Sequence, residues 1–237
     1  MASKKRVLIK VSGASIKAKN PNSIFNFDIV KKLCSQIKQL NTKYNIGIVV
    51  GGGNIWRGKM DNEHCLKRAD ADYIGMLSTI ANSFVFKDIL ESLGVKVSLF
   101  SALPVGFLTK PITSENIEKS FSKNQVCLFA GGTGHPYFTT DTGCAIRAID
   151  MQADMILMGK DLVDGVFTAD PLKNKNAKFI ANTTFFDVYK RKLQVMDLSA
   201  LTLCEENNID IYVFNILGNN SIVKVLQKKC KFTHIHK

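Results

Sequence analysis

The chain has 237 residues, 46% of them apolar, and a formal net charge of +12. That length can bury a full α/β core, and no apolar run reaches the roughly 18 residues a membrane span needs. The basic excess is mostly lysine, with arginine confined to positions 6, 57, 68, 147 and 191. Its lysines are scattered and, apart from the short tail Lys228-Lys229-Cys230-Lys231-Phe232, not interleaved with aromatics, so it points to anionic small molecules in preference to nucleic acid.

Arg6 to Val11 reads as a first strand that runs into Ser12-Gly13-Ala14-Ser15, and the amino-terminal residues before it lack the apolar region of a signal peptide, so a cytoplasmic location is expected. Residues 18 to 26 read as a surface loop. Phe27 to Leu40 has helical spacing, with Ile29, Leu33, Ile37 and Leu40 on one face. Ile46 to Val50 is a second strand closed by Gly51-Gly52-Gly53-Asn54. A long helix is expected over Ala69 to Leu93, stopped by Gly94, apolar on more than one face and hence deeply packed.

Val95 to Phe100 reads as a strand, Ser114 to Ser122 as a helix and Val126 to Ala130 as a buried strand. Gly131 to Gly143 follows it and leads into a helical pattern at Ala145 to Ile149. Met155 to Met158 makes a fifth strand, and Asp164-Gly165 marks a turn in an irregular stretch reaching Lys178. Ser199 to Asn208 and Ser221 to Lys228 read as helices around a strand at Ile209 to Phe214, and Lys231 to His236 as an edge strand. Repeated strand–helix alternation without a linker predicts α/β architecture: a three-layer α/β/α sandwich on a mainly parallel sheet.

Ligands of such sheets collect at the carboxyl ends of the strands. The glycine-bearing exits at Ser12-Gly13, Gly51 to Gly53 and Gly131 to Gly134 should therefore open on one edge. There, backbone N–H groups approach an anion closely and a helix N-terminus favours negative charge. Each loop alone also reads as an ordinary strand–helix connection with a capped helix. Lys10, inside the first strand, calls either for an anion or for a route along which its stem snorkels to water.

Gly53 to Lys59 satisfies G-x-x-x-x-G-K but Met60 follows where a Walker loop needs a hydroxyl for magnesium, so the P-loop reading fails. Arg57 in the same loop can grip phosphate in fork geometry. Asp72 suits either the helix dipole or a ribose hydroxyl. The stretch Lys160 to Pro171 suits a purine seat, with Phe167 on the base and Asp170 on the sugar, or else a hairpin with solvated charges. Asp197 is an N-cap by pattern, and could also hold Lys10 and Lys160 in position. The cysteines show no C-x-x-C pair and read as reduced core thiols, and His234 and His236, which could bind metal, read as solvated tail histidines. No general base emerges, and phosphoryl transfer onto an ionised phosphate does not need one.

Lys10-Val11-Ser12-Gly13, Gly51 to Gly58, Asp72 to Leu77, Gly131 to Asp141, Val163 to Pro171 and Val195-Met196-Asp197-Leu198 occur in an order that resembles the bacterial uridylate kinases of the amino acid kinase family. The resemblance covers nearly the whole chain and implies a single domain over residues 1–237. Its N-terminal part would bind mainly UMP and the part after residue 150 mainly ATP. It implies ATP-dependent conversion of UMP to UDP in pyrimidine nucleotide biosynthesis, with Mg2+ carried by the nucleotide, in a homohexamer inhibited by UTP. By position, Lys10, Val11, Ser12, Gly13, Gly53, Arg57, Asp161, Phe167 and Asp170 would serve ATP. Gly52, Asp72, Thr133, Gly134, His135, Pro136, Tyr137, Phe138, Thr139 and Thr140 would serve UMP. Lys10, Lys160, Arg57 and Asp197 would carry catalysis. A carbamate-kinase-like enzyme and a non-catalytic uridine-nucleotide or nucleic-acid binder are the rival readings. Two departures stand out: His135 replaces the family's usual Asn, and Lys87-Asp88-Ile89-Leu90-Glu91 replaces an Arg-Asp-x-x-His pattern tied to GTP activation, which predicts a weak GTP response.

Overall fold

The computed structural model describes residues 4–20, 22–56, 66–171 and 173–237. Central strands are continuous apolar runs because they are covered on both faces. In β1 (Arg6–Val11), Val7, Ile9 and Val11 face one core while Leu8 faces the other. The same alternation holds in β2 (Asn45–Val50) and β4 (Val126–Ala130), each almost fully buried. With β3 (Val97–Ser101), β5 (Met155–Lys160) and β9 (Asp210–Asn215) these strands are mutually parallel, so their carboxyl ends share one edge.

The eight-stranded sheet runs β3-β4-β2-β1-β5-β9-β10-β8, where β8 is Asn182–Thr184 and β10 is Thr233–His236. The terminal segment is therefore not the edge strand its sequence suggests: β10 pairs antiparallel with β9 and is covered on its other side by β8. A separate ribbon pairs β6 (Val166–Phe167) with β7 (Phe179–Ile180), so the stretch after the Asp164-Gly165 turn is partly ordered as strand.

One face of the sheet carries α1 (Phe27–Leu40), α2 (Arg68–Ser92) and α7 (Ser221–Leu226). The other carries α3 (Ser114–Ser122), α4 (Thr140–Asp150), α5 (Phe185–Lys190) and α6 (Leu198–Glu206). Caps match the chemistry of helix starts: Asn26, Thr113, Thr139, Thr184 and Asp197 each accept a backbone N–H from the first turn. Helix α2 departs from expectation. It leaves Tyr73 39% and Leu77 55% exposed, while Ser78, Thr79, Asn82 and Ser83 are buried. Its inner face is partly polar, a feature the apolar count conceals.

Burial pushes the thiols of Cys34, Cys127 and Cys204 up to about 12, as expected of inert core cysteines, and Cys65 lies outside the described residues.

Candidate active site

The strand exits of β1, β2, β4 and β5 meet at one edge. Gly13 packs against the Gly51 loop so closely that a Cβ there would stand 2.6 Å from the Gly51 carbonyl oxygen. A Cβ on Gly51 would in turn lie 3.9 Å from Thr140 Cγ2, which places the third glycine loop against the other two. Expectation and structure agree on this convergence.

Lys10 points to the α4 side of the sheet, two residues beyond Leu8, and its Nζ lies 3.0 Å from Asp141 Oδ1. The pair is mostly enclosed, with side-chain exposures of 11% and 20%. Asp141 is in the first turn of α4, where the helix dipole also favours its charge. The lysine that β1 buries is thus held by a carboxylate at the mouth of the cleft. Sequence reading placed Asp141 only within the Gly131 to Asp141 stretch; its position in the first turn of a helix that follows a strand exit was the available signal.

Lys160 ends β5 and donates to the Val195 carbonyl oxygen at 2.6 Å. Burial, and then the charge of Lys10, lower its pKa below the ordinary 10.5, while Asp141 and Asp161 oppose the shift. Two ammonium groups are thereby held near one another on adjacent strands, an arrangement that attracts a polyanion.

Asp197 does not hold these lysines. It caps α6 through Ala200 N at 2.9 Å, and its carboxylate accepts hydroxyl hydrogen bonds from Thr139 and, at 2.9 and 3.0 Å, from Thr142. Two helix starts, of α4 and α6, are tied through one carboxylate. Asp161, at the exit of β5, accepts from the Ser15 hydroxyl and so ties that exit to the one from β1.

On the α2 side the cleft widens into a cavity of about 320 Å³ lined by Gly52, Trp56, Asp72, Thr133, Phe138 and Thr140, among others. Asp72 lies on its wall and accepts from Tyr137 N at 2.7 Å, with Arg68 Nε at 3.8 Å. The guanidinium of Arg68 also stacks on the Tyr137 ring, 4.9 Å from its centroid. Thr133 and His135 close a small turn, the Thr133 hydroxyl donating to His135 O and accepting from His135 N. The His135 side chain is at the surface of that loop. Tyr137 adopts φ +74°, so this loop carries backbone strain beside the cavity.

On the opposite side a second cavity, about 420 Å³, is lined by Phe167, Asp170, Lys173 and Arg191 among others. Phe167 meets Phe179 edge-on at 5.5 Å between centroids. The predicted residues therefore divide between two cavities: Gly52, Gly53, Asp72, Thr133 and Phe138 to Thr140 line the first, and Phe167 and Asp170 the second. Arg57 lies outside the described residues. Among the described residues no cluster of three His, Cys, Asp or Glu side chains could hold a metal ion, and no helix is long and apolar enough to cross a membrane.

The amino acid kinase family matches residues 5–215 of the chain. A uridylate kinase of Mycoplasmoides gallisepticum is 45% identical, with 98% of each chain covered. The crystal structure of UMP kinase from Ureaplasma parvum superposes with a TM-score of 0.96 at 44% identity over 100% of both chains. That of UMP kinase from Bacillus anthracis gives 0.92 at 35% identity, covering 98% of this chain and 96% of the other.

Proposed function

The chain belongs to the amino acid kinase family, on its uridylate kinase branch, and we propose that it transfers the γ-phosphoryl group of ATP to UMP. An ionised oxygen of the UMP phosphate attacks the γ-phosphorus; the new P–O bond forms as the bond to the β,γ-bridging oxygen breaks, and ADP leaves with that electron pair. No proton has to be removed from the nucleophile, so the transfer needs no general base.

The observation that carries this reading is the position of Lys10: paired to Asp141, it stands where the three glycine loops meet. UMP takes the cavity on the α2 side, with its ribose on Asp72, its phosphate toward Gly52 and its remaining contacts from Thr133 to Thr140. ATP takes the other side, with its phosphates over Lys10, Val11, Ser12, Gly13 and Gly53 and its nucleoside toward Asp161, Phe167 and Asp170. Lys10 and Lys160 neutralise the moving phosphoryl group, and Arg57 is assigned a phosphate contact from its place in the motif. Mg2+ carried by ATP would neutralise phosphate charge. Asp197 serves as a positioning residue, through Thr139 and Thr142 and not through the lysines.

The same reading takes residues 1–237 as one domain, its earlier part for UMP and the part after residue 150 for ATP. It also includes a cytoplasmic homohexamer inhibited by UTP and a role in pyrimidine nucleotide biosynthesis. A coupled assay offering UMP, CMP and carbamate separately with Mg2+ and ATP tests it. ADP release dependent on UMP is expected; activity on carbamate alone, or UMP binding without turnover, overturns it.

A further inference from the structure

A helix packed on a sheet is ordinarily apolar on its inner face. In α2 that face instead carries Asp72, Gly75, Thr79 and Asn82, spaced three or four residues apart and therefore stacked along one stripe. Thr79 is 5% exposed and Asn82 0%. Polar groups buried this completely destabilise a fold unless their hydrogen bonds are made, and an apolar residue would pack there at lower cost.

Their hydrogen bonds are made, and to the glycine loops. Asn82 Nδ2 donates to the Gly51 carbonyl at 2.7 Å and to Asn54 Oδ1 at 2.6 Å, while Asn82 Oδ1 accepts from Asn54 Nδ2 at 3.0 Å. Thr79 Oγ1 accepts from Gly131 N at 2.9 Å and donates to the Met76 carbonyl at 2.7 Å. Between these anchors the β2 exit rests on the helix without clearance: a Cβ on Gly52 would stand 2.7 Å from Gly75 O and 2.9 Å from Ser78 Cβ. One helix therefore holds both loops at fixed places along its own axis and presents Asp72 on the same stripe.

We propose that Thr79 and Asn82 are positioning residues for the reaction: Thr79 sets the Gly131–Thr140 loop relative to Asp72, and Asn82 sets the Gly51–Asn54 loop relative to Gly13 and Lys10. The inference rests on the assignment of the cleft to UMP and ATP. It also predicts a division between the two. The Gly131–Thr140 loop lines the acceptor cavity, so losing its anchor acts on UMP binding. The Gly51–Asn54 loop lines the same cavity through Gly52 and Gly53 and also lies against Gly13, so losing its anchor acts on transfer as well as on UMP binding.

The test compares Thr79→Val and Thr79→Ser, and Asn82→Leu and Asn54→Ala, in steady-state kinetics and in amide hydrogen exchange of the free protein. Thr79→Val keeps the shape and removes the acceptor of the Gly131 N–H, so the UMP KM should rise about tenfold with kcat and the ATP KM within about twofold, and Gly131 should lose protection. Thr79→Ser should behave as wild type. Asn82→Leu should lower kcat about tenfold and raise the UMP KM as well, and Asn54→Ala, which deletes the same pair from the loop side, should do likewise if the helix variant does not fold. The proposal is overturned if Thr79→Val leaves the UMP KM and Gly131 protection unchanged, if Thr79→Ser is as impaired as Thr79→Val, or if every variant shifts both KM values alike. If the wild-type protein does not turn over UMP, the assigned function falls, and Gly131 exchange in Thr79→Val against Thr79→Ser still decides whether the hydroxyl fixes the loop.

Discussion

Lys10 Nζ and Asp141 Oδ1 stand 3.0 Å apart, joining the penultimate residue of a central strand to the first turn of α4. The carboxylate keeps the ammonium aimed while the cleft is without substrate, and an incoming phosphate can share or replace it. Coulomb attraction between such groups, partly desolvated, is far stronger than at an open surface.

Lys10→Ala should therefore remove charge that matters most as the phosphoryl group moves. Turnover is expected to fall by about a hundredfold or more, with the UMP KM changed by less than about threefold, as for loss of an interaction specific to the transition state. Steady-state rates at saturating ATP check this; wild-type turnover in the variant would refute the role given to Lys10.

Asp72→Asn should act differently. Asp72 lines the UMP cavity and is already fixed by Tyr137 N at 2.7 Å, so the amide keeps one acceptor but loses the charge that strengthens a ribose hydroxyl bond. A rise of about tenfold in the UMP KM, with kcat retained within about threefold, is expected from initial rates.

The pH dependence follows from Lys160. Burial lowers its pKa below 10.5, so the folded protein gives up this proton at a pH where the unfolded chain still holds it. Turnover should decline on the alkaline side below pH 10.5 as the ammonium neutralises. In that same window the unfolded state binds more protons, so this group makes stability rise with pH, and the loss of rate cannot be ascribed to its unfolding effect. A pH–rate profile beside a pH series of urea midpoints checks both signs, and Lys160→Arg should move the alkaline limb upward because guanidinium stays protonated.

Much of this layout is legible in the residues. The spans of α1, α3, β1 and β4 follow directly from apolar spacing, since each is long enough for its periodicity to be unambiguous. The convergence of the glycine exits follows from strand–helix alternation, because a parallel sheet has only one carboxyl edge. What escaped were elements stabilised by distant partners. β6, β7 and β8 are two or three residues long and exist through pairing with β7, β6 and β10, which no local pattern announces. α5 had a local signal, Thr184 three residues before Asp187, but few turns in which apolar spacing could repeat. Within the site, the N-cap role of Asp197 was readable at short range, whereas its partners Thr139 and Thr142 come from another helix. The polar stripe of α2 was hidden because Thr79 and Asn82 look like surface residues until the loops above them are placed.

GTP should be a poor activator. Lys87, the basic residue of the altered pattern, is paired with Glu91 at 2.8 Å across one helical turn, so its charge is balanced locally and the acid beside it would repel a triphosphate there. Velocities at low UMP with and without GTP are expected to agree within about twofold. Several-fold stimulation would refute this, and Glu91→His would then be the variant expected to leave the stimulation in place.

Asp197 separates capping from charge. Its carboxylate serves Ala200 N, Thr142 Oγ1 and the Thr139 hydroxyl, so Asp197→Ala strands donors from two helix starts at once and should cost about 2–4 kcal/mol in urea unfolding. Asp197→Asn retains an acceptor for Ala200 N and should cost less, about 1 kcal/mol, because Asn and Asp are comparable N-caps. Thr139 and Thr142 flank Asp141, so loosening them displaces the partner of Lys10. Turnover should accordingly follow the geometry and fall further in the alanine variant than in the asparagine one. Equal loss of turnover in both, despite unequal stability, would show that the negative charge itself acts on the reaction and that the coupling through Thr139 and Thr142 is secondary.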